Sequence, residues 1–336
     1  MQALITGISG EVGHGLIKKL HSQSYKIVAA DIKSPEKEIA GYIDKFYECD
    51  ISDKAGVENI FKEQHFDIVF HLASILSTGG EKNPELAAKV NIEGTLNLLE
   101  AATNQSLADK KAIKFIFPSS IAAYGIPNLE IKTKNKKVKE GEFLNPITIY
   151  GISKLACENL GNYFSKNYKL LGEIDRDSLI DFRCIRFPGL LSPDTIPSGG
   201  TSDYGPEMIH AAAQGKDYEC FVRAESTIPF MAMADAAEVL TQLADAPKEN
   251  LKRFVYNVQG FSVSALNIYE MTKRFFPDFE MTYKINEERQ RIVDSWPEDV
   301  DDTNAQKDWG WKPKYSFEKT FSEYLIPKIK ERYKVK

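Results

Sequence analysis

The chain alternates short, wholly apolar runs with stretches whose apolar residues recur every three or four positions, the pattern of buried strands alternating with amphipathic helices. Residues 1–6 read as a strand that runs into Gly7-Ile8-Ser9-Gly10-Glu11-Val12-Gly13 and then into a helical pattern of Leu16, Ile17 and Leu20. Residues 25–30 form a second strand ending in Asp31, and residues 40–49 a third, followed by Asp50 and a helix over 54–64. Residues 67–73 make a fourth strand, nearly all apolar, as expected for a strand covered on both faces. Asn83-Pro84-Glu85 supplies a cap and a first-turn proline for a helix that carries Val90, Asn91, Leu96, Leu98 and Leu99 as far as Thr103. A fifth strand over 113–117 ends in Pro118-Ser119-Ser120, a helix starts near Tyr150, and a sixth strand covers 181–187. This alternation predicts an α/β fold with a doubly wound parallel sheet. Such sheets bind ligands at the carboxyl ends of their strands, where Gly7, Asp31, Ala73, Ser120 and Pro188 all fall.

Chemistry enters at two of these ends. A glycine turn between strand and helix lets the backbone turn tightly, lets a pyrophosphate approach, lets helix pack on strand, and offers the anion free N–H groups. The spacing here is GxxGxxG. Asp31 can accept hydrogen bonds from both hydroxyls of an adenine ribose and would repel a 2'-phosphate, so NAD is expected over NADP, with Lys33 as a counterweight. Tyr150 and Lys154 lie four residues apart and so share one helical face. An ammonium beside the phenol is expected to lower its pKa from about 10 and make Tyr150 a general base.

Composition narrows the partners. With 336 residues, 43% apolar and 27% charged, the chain can bury a large core. A net charge of -5 and a pI near 5.7 argue against a nucleic-acid or membrane surface. The lysines at 132, 134, 136, 137 and 139 are expected to form a solvated loop. Cys49, Cys157, Cys184 and Cys220 are scattered without a CxxC, so neither a metal site nor a disulfide framework is indicated and reduced core residues are expected. No apolar run approaches the roughly 18–20 residues of a membrane span. A strand at the very start argues against a signal peptide, which makes a cytoplasmic setting the expectation.

Together, the glycine turn, Asp31, His71-Leu72-Ala73, Asn91, Ser119-Ser120 and YGISK resemble the extended short-chain dehydrogenases/reductases, which include nucleotide-sugar epimerases and dehydratases. Within that superfamily, HLASILSTGG, PSSIAAYG, DFRCIRFPGLL, GGTSDY and DSWP are similar to the epimerase-like L-threonine 3-dehydrogenases, over residues 1 to about 315. GGTSDY and DSWP are the most specific segments.

The resemblance implies a Rossmann domain of residues 1–187 plus about 222–262. A smaller, discontinuous C-terminal substrate lobe would take about 188–221 plus 263–336. It assigns Tyr150 as acid-base, Lys154 as its partner and Ser120 as the hydroxyl that orients the substrate oxygen, with Ser119 an adjacent competitor. Cofactor contacts are expected from Gly7, Gly10, Glu11, Val12, Gly13, Asp31, Asp50, Ile51, Leu72, Ala73, Ser74, Asn91, Tyr150, Lys154 and Pro188. Asn91 could instead bond the backbone of a neighbouring strand. Substrate contacts are expected from Ser74, Leu76, Ser120, Tyr150, Asp194, Gly199, Gly200, Thr201 and Trp296, the segment around 199–201 acting as a lid. Trp296 could equally be a core aromatic.

The implied reaction is NAD-dependent oxidation of L-threonine at its 3-hydroxyl to 2-amino-3-oxobutyrate, without a metal. The alternative is a nucleotide-sugar 4-epimerase or dehydratase, which would need a diphosphate site from Arg223, Arg289 or Arg291. A homodimer is implied through the helix over 84–102 and the one carrying Leu155, Leu160, Tyr163 and Phe164. Trp309 and Trp311 are expected to anchor the C-terminal segment, and Arg186 to be an ion partner in the core.

Overall fold

The computed structural model describes residues 1–197 and 200–335. Seven parallel strands form its main sheet. They are β1 (Gln2–Thr6), β2 (Lys26–Asp31), β3 (Lys45–Glu48), β4 (Ile68–His71), β5 (Lys114–Ser120), β6 (Asp181–Phe187) and β7 (Val255–Asn257), in the spatial order β7-β6-β5-β4-β1-β2-β3. The chain leaves β1 toward β2 on one side and returns through β4 on the other, so the carboxyl ends of β1 and β4 flank a crevice. Burial explains why the strands carry unbroken apolar runs: all four residues of β4 and all seven of β6 are buried.

Helices cover both faces. Helix α1 (Glu11–Ser22) buries Gly13, His14, Leu16, Ile17 and Leu20, a three- and four-residue periodicity. Helix α2 (Gly94–Asp109) follows a short helix, Pro84–Ala88, capped by the Asn83 side chain on the Leu86 N–H, and a π-helical turn at Lys89–Glu93. Helix α3 (Ile149–Lys166) starts at Thr148, whose hydroxyl accepts the Gly151 N–H at 3.1 Å. Its buried face includes Lys154 and Glu158 among Gly151, Ser153, Cys157, Gly161 and Phe164.

The third strand is shorter than the 40–49 run, because residues 37–40 form a helical turn. Beyond β6, Gly189–Leu191, Thr227–Ala232 and Phe261–Ser264 pair in a separate three-stranded sheet. Trp311 is fully buried beside Trp309, which packs on Tyr256 of β7, so these tryptophans do anchor the C-terminal segment. Cys157, Cys184 and Cys220 are buried free thiols, and Cys49 is half-buried.

Two sequence expectations fail. Lys132 is not solvated: it is 3% exposed and donates to the Val293 carbonyl at 3.0 Å, and burial pushes its pKa down to about 8. Phe164 is not an interface residue: it is 3% exposed and stacks on Tyr168 within the same chain. No helix among the described residues is long and apolar enough to cross a membrane.

Candidate active site

A cavity opens at the crevice between β1 and β4. Its walls bring together most of the residues singled out in the sequence: Gly7, Gly10, Glu11, Val12 and Gly13 from the glycine turn, Leu72, Ser74 and Leu76 after β4, and Ser120, Tyr150, Lys154 and Pro188. Gly200, Thr201 and Trp296 close the far side. Gly199 lies outside the described residues. Asp31, Asp50, Ile51, Ala73, Asn91 and Asp194 do not line the cavity.

The glycine turn fits an approaching pyrophosphate. Gly7 has φ +71° and a Cβ there would fall 2.5 Å from the Ala73 nitrogen, so only glycine serves. A Cβ on Gly13 would meet the Ile8 carbonyl oxygen at 2.3 Å, which lets α1 press on the turn. Gly10 is different, since a Cβ there meets only the Gly7 oxygen at 3.3 Å, and it caps α1 with no side chain over the helix N-terminus. Space and N–H groups remain for a ligand anion. Asp31, at the end of β2, is fixed by the Ser9 N–H at 2.9 Å and the Lys33 N–H at 3.1 Å, one on each carboxylate oxygen. Each oxygen keeps a lone pair for a ribose hydroxyl.

At the acid-base end, the Ser120 hydroxyl accepts the Ala122 N–H at 3.1 Å and lies near enough to the Tyr150 phenol to favour its ionised form. Ser119, which also lines the cavity, donates to Glu158 at 2.5 Å. The two serines thus have different partners. Lys154 donates to the Pro118 carbonyl at 2.8 Å, and its Nζ lies 4.6 Å from the Phe117 ring centre and 5.6 Å from that of Tyr150.

The electrostatics depart from the sequence expectation. Burial pushes the Tyr150 phenol up to about 12, and the neighbouring Ser120 hydroxyl only partly opposes it. Burial also pushes Lys154 down to about 8, against the pull of Cys157, Cys184 and Glu158. The lysine is aimed at a strand carbonyl, so the phenol feels desolvation more than a neighbouring cation. His71, fully buried below the crevice, is pushed down to about 3 by burial and by Lys154, and stays neutral between Thr6 and Thr95 at 2.8 Å each.

The outlying residues have structural partners. The Asn91 side chain clamps the loop after β4: its oxygen accepts the Ile75 N–H at 2.7 Å and the Ser74 hydroxyl at 3.2 Å, and its amide donates to the Ile75 carbonyl at 2.9 Å. Asp194 is exposed and paired with Lys328 at 3.2 Å. Thr201 exchanges a hydrogen bond with Ser77 at 2.9 Å, and Thr195 bonds Glu11, tying residues 195 and 201 to the cavity walls. Ser77 and Asp203 line the cavity and escaped the sequence reading. Ser77 lies within HLASILSTGG, but nothing local marks it out from its neighbours, and its partner Thr201 is the signal that finds it. Among the described residues no group of His, Cys, Asp and Glu could hold a metal ion.

Comparison with known proteins agrees with this arrangement. Mitochondrial L-threonine 3-dehydrogenase of Bos taurus is 33% identical over 313 residues, covering 93% of this chain and 78% of that protein. The L-threonine dehydrogenase structure from Clostridium difficile matches with a TM-score of 0.86 and 31% identity, covering 99% of this chain and 98% of that one. A monomeric L-threonine 3-dehydrogenase from a metagenome database, in its apo form, matches with a TM-score of 0.83 and 37% identity, covering 98% and 99%. The glycine turn, Asp31 and the Tyr150–Lys154 helix all lie within residues 3–258, the span matched by one family model, and the chain belongs to the NAD dependent epimerase/dehydratase family.

Proposed function

We propose that the chain oxidises L-threonine at its 3-hydroxyl to 2-amino-3-oxobutyrate with NAD, and that Tyr150 is the general base. The observation that carries this reading is that Ser120, Tyr150 and Lys154 line the same cavity as the glycine turn. Similarity to L-threonine dehydrogenases over nearly the whole chain supports the substrate.

The glycine turn and Asp31 would hold the dinucleotide, which when bound supplies a hydride acceptor. The chain's own residues handle the proton and the charge. Ser120 donates a hydrogen bond to the substrate oxygen, and Tyr150 Oη takes the hydroxyl proton. Both hydroxyls are fixed donors to the oxygen as its charge changes, an arrangement that contributes a few kcal/mol in other enzymes. Lys154, held against the Pro118 carbonyl, places a positive charge below the phenol ring. Thr201 and Ser77 offer hydroxyls to a substrate carboxylate, and Trp296, 5% exposed, walls the cavity.

No arginine among the described residues lines this cavity, which speaks against a sugar diphosphate. Arg223 pairs with Glu225 and Asp294, and Arg289 donates to the Gly200 carbonyl. We also propose a homodimer through Leu86, Ile152 and Tyr163, which are 45%, 46% and 42% exposed on adjoining helices. The proposed two-part domain division is supported by β7 joining the main sheet.

The test is NADH formation from NAD and L-threonine, with Tyr150→Phe alongside. The wild-type chain is expected to turn over, and the variant to bind NAD but lose at least about a hundredfold in kcat, as removal of a general base does. Equal rates would remove Tyr150 from the reaction.

A further inference from the structure

Helix α3 continues its functional face one turn beyond Lys154. Tyr150, Lys154 and Glu158 follow at intervals of four, so their side chains stack along one stripe, and each meets a different residue at the end of β5. Tyr150 lies beside Ser120, Lys154 donates to the Pro118 carbonyl at 2.8 Å, and Glu158 accepts from Ser119 at 2.5 Å. Three consecutive strand residues thus face three consecutive turns of one helix, two of them through hydrogen bonds.

The third grip is itself fixed. Arg186 lies opposite Ser119 in the register of β5 with β6 and holds Glu158 through Nε to Oε1 at 2.8 Å and Nη2 to Oε2 at 2.6 Å. Its remaining Nη1 donates to the Glu140 carbonyl at 2.7 Å, and its guanidinium lies 4.7 Å from the Tyr124 ring centre. Glu158 and Arg186 are each 1% exposed. Burying two charges is costly and gives little net stability compared with apolar residues of the same size. What this pair gives is direction, because a carboxylate held at both oxygens can take the Ser119 proton at one angle only.

Adjacency along β5 turns that into function. Ser119 and Ser120 are joined by one peptide, and both face α3, Ser119 at Glu158 and Ser120 beside Tyr150. Fixing Ser119 fixes the peptide that aims Ser120 at Tyr150. We propose that Glu158, oriented by Arg186, is a positioning residue that sets the Ser120–Tyr150 geometry through Ser119. The kinetic side of this proposal rests on the dehydrogenase reading above.

Ser119→Ala provides the test, because it removes the middle contact and leaves the buried ion pair whole. With the full chain, NAD and L-threonine, kcat is expected to fall about tenfold while KM for L-threonine changes less than about threefold, the loss following from misaligned reacting groups. Amide exchange should quicken in residues 114–122 and stay unchanged in β1 and β4. Glu158→Gln keeps an oxygen for Ser119 but loses the two-point grip. Its kcat should fall at least as far, and adding Ser119→Ala to it should cost less than a further threefold, because both changes cut one contact.

Unchanged kcat and unchanged exchange at 114–122 in Ser119→Ala would overturn the proposal, whether or not Glu158→Gln folds. So would a loss of thermal stability with kcat intact. If the wild-type chain forms no NADH from L-threonine, the dehydrogenase reading fails, and exchange at 114–122 alone then decides the clamp.

Discussion

Lys154 is the charge whose burial the fold has to offset, and replacing it with methionine measures that cost. The lysine is 5% exposed, and burial lowers its pKa from 10.5 to about 8. Below pH 8 the folded and unfolded chains both carry the proton. Between 8 and 10.5 the unfolded chain holds it and the folded chain does not, so wild-type stability rises with pH across that window. The interval corresponds to a penalty of about 3 kcal/mol, fully present at pH 7.

Lys154→Met removes the charge but leaves the Pro118 carbonyl without its donor, which costs about 1–3 kcal/mol at every pH. A comparison at one pH therefore mixes two effects, and a comparison across pH isolates the charge. From pH 7 to pH 10 the wild type should gain about 2–3 kcal/mol relative to the variant. Urea unfolding of both proteins at the two pH values, followed by tryptophan fluorescence, reads this directly. Parallel stability at pH 7 and pH 10 would refute the reasoning, since it would mean that the folded lysine keeps its ordinary affinity for the proton.

Two further perturbations probe the cofactor end. Asp31→Asn removes the charge that opposes a 2'-phosphate, so the ratio of kcat/KM for NAD to that for NADP should fall by at least about tenfold, the worth of a charge-assisted hydrogen bond. Gly7→Ala and Gly10→Ala should part company. The first forces a Cβ against the Ala73 backbone at φ +71° and should cost more than about 2 kcal/mol in urea unfolding. The second should stay within about 1 kcal/mol of wild type in stability, yet weaken NAD binding at least about tenfold by calorimetric titration, because the methyl intrudes where the pyrophosphate approaches.

Much of the fold was legible because a parallel strand buried on both faces cannot hide its composition; the runs that became β1, β2, β4, β5 and β6 are of this kind. β7, with three residues, is too short to stand out. Gly7, Asp31, Tyr150 and Lys154 were legible because their chemistry is carried by local spacing. Ser119 and Ser120 could not be told apart, since they are identical neighbours and only the docking of α3 gives Ser119 the Glu158 carboxylate as partner. Lys132 was misread for the same reason: its burial comes from the Val293 carbonyl, 161 residues away. Glu158 could have been found by carrying the Tyr150–Lys154 interval forward one more turn.

The Tyr150–Lys154 interval also shows where a motif stops short of its chemistry. Spacing places the ammonium on the phenol's side of the helix, but the Pro118 carbonyl takes its hydrogen bond and burial governs both groups. With the phenol pushed up to about 12, the protein surroundings by themselves hold Tyr150 protonated through the neutral range. A base working near pH 7 must then gain its ionisation from charge that arrives with the ligands, and the protein's share is geometric. That share is what α3 supplies at the end of β5: Lys154 on the Pro118 carbonyl, and Glu158, braced by Arg186, on the Ser119 hydroxyl next to Ser120.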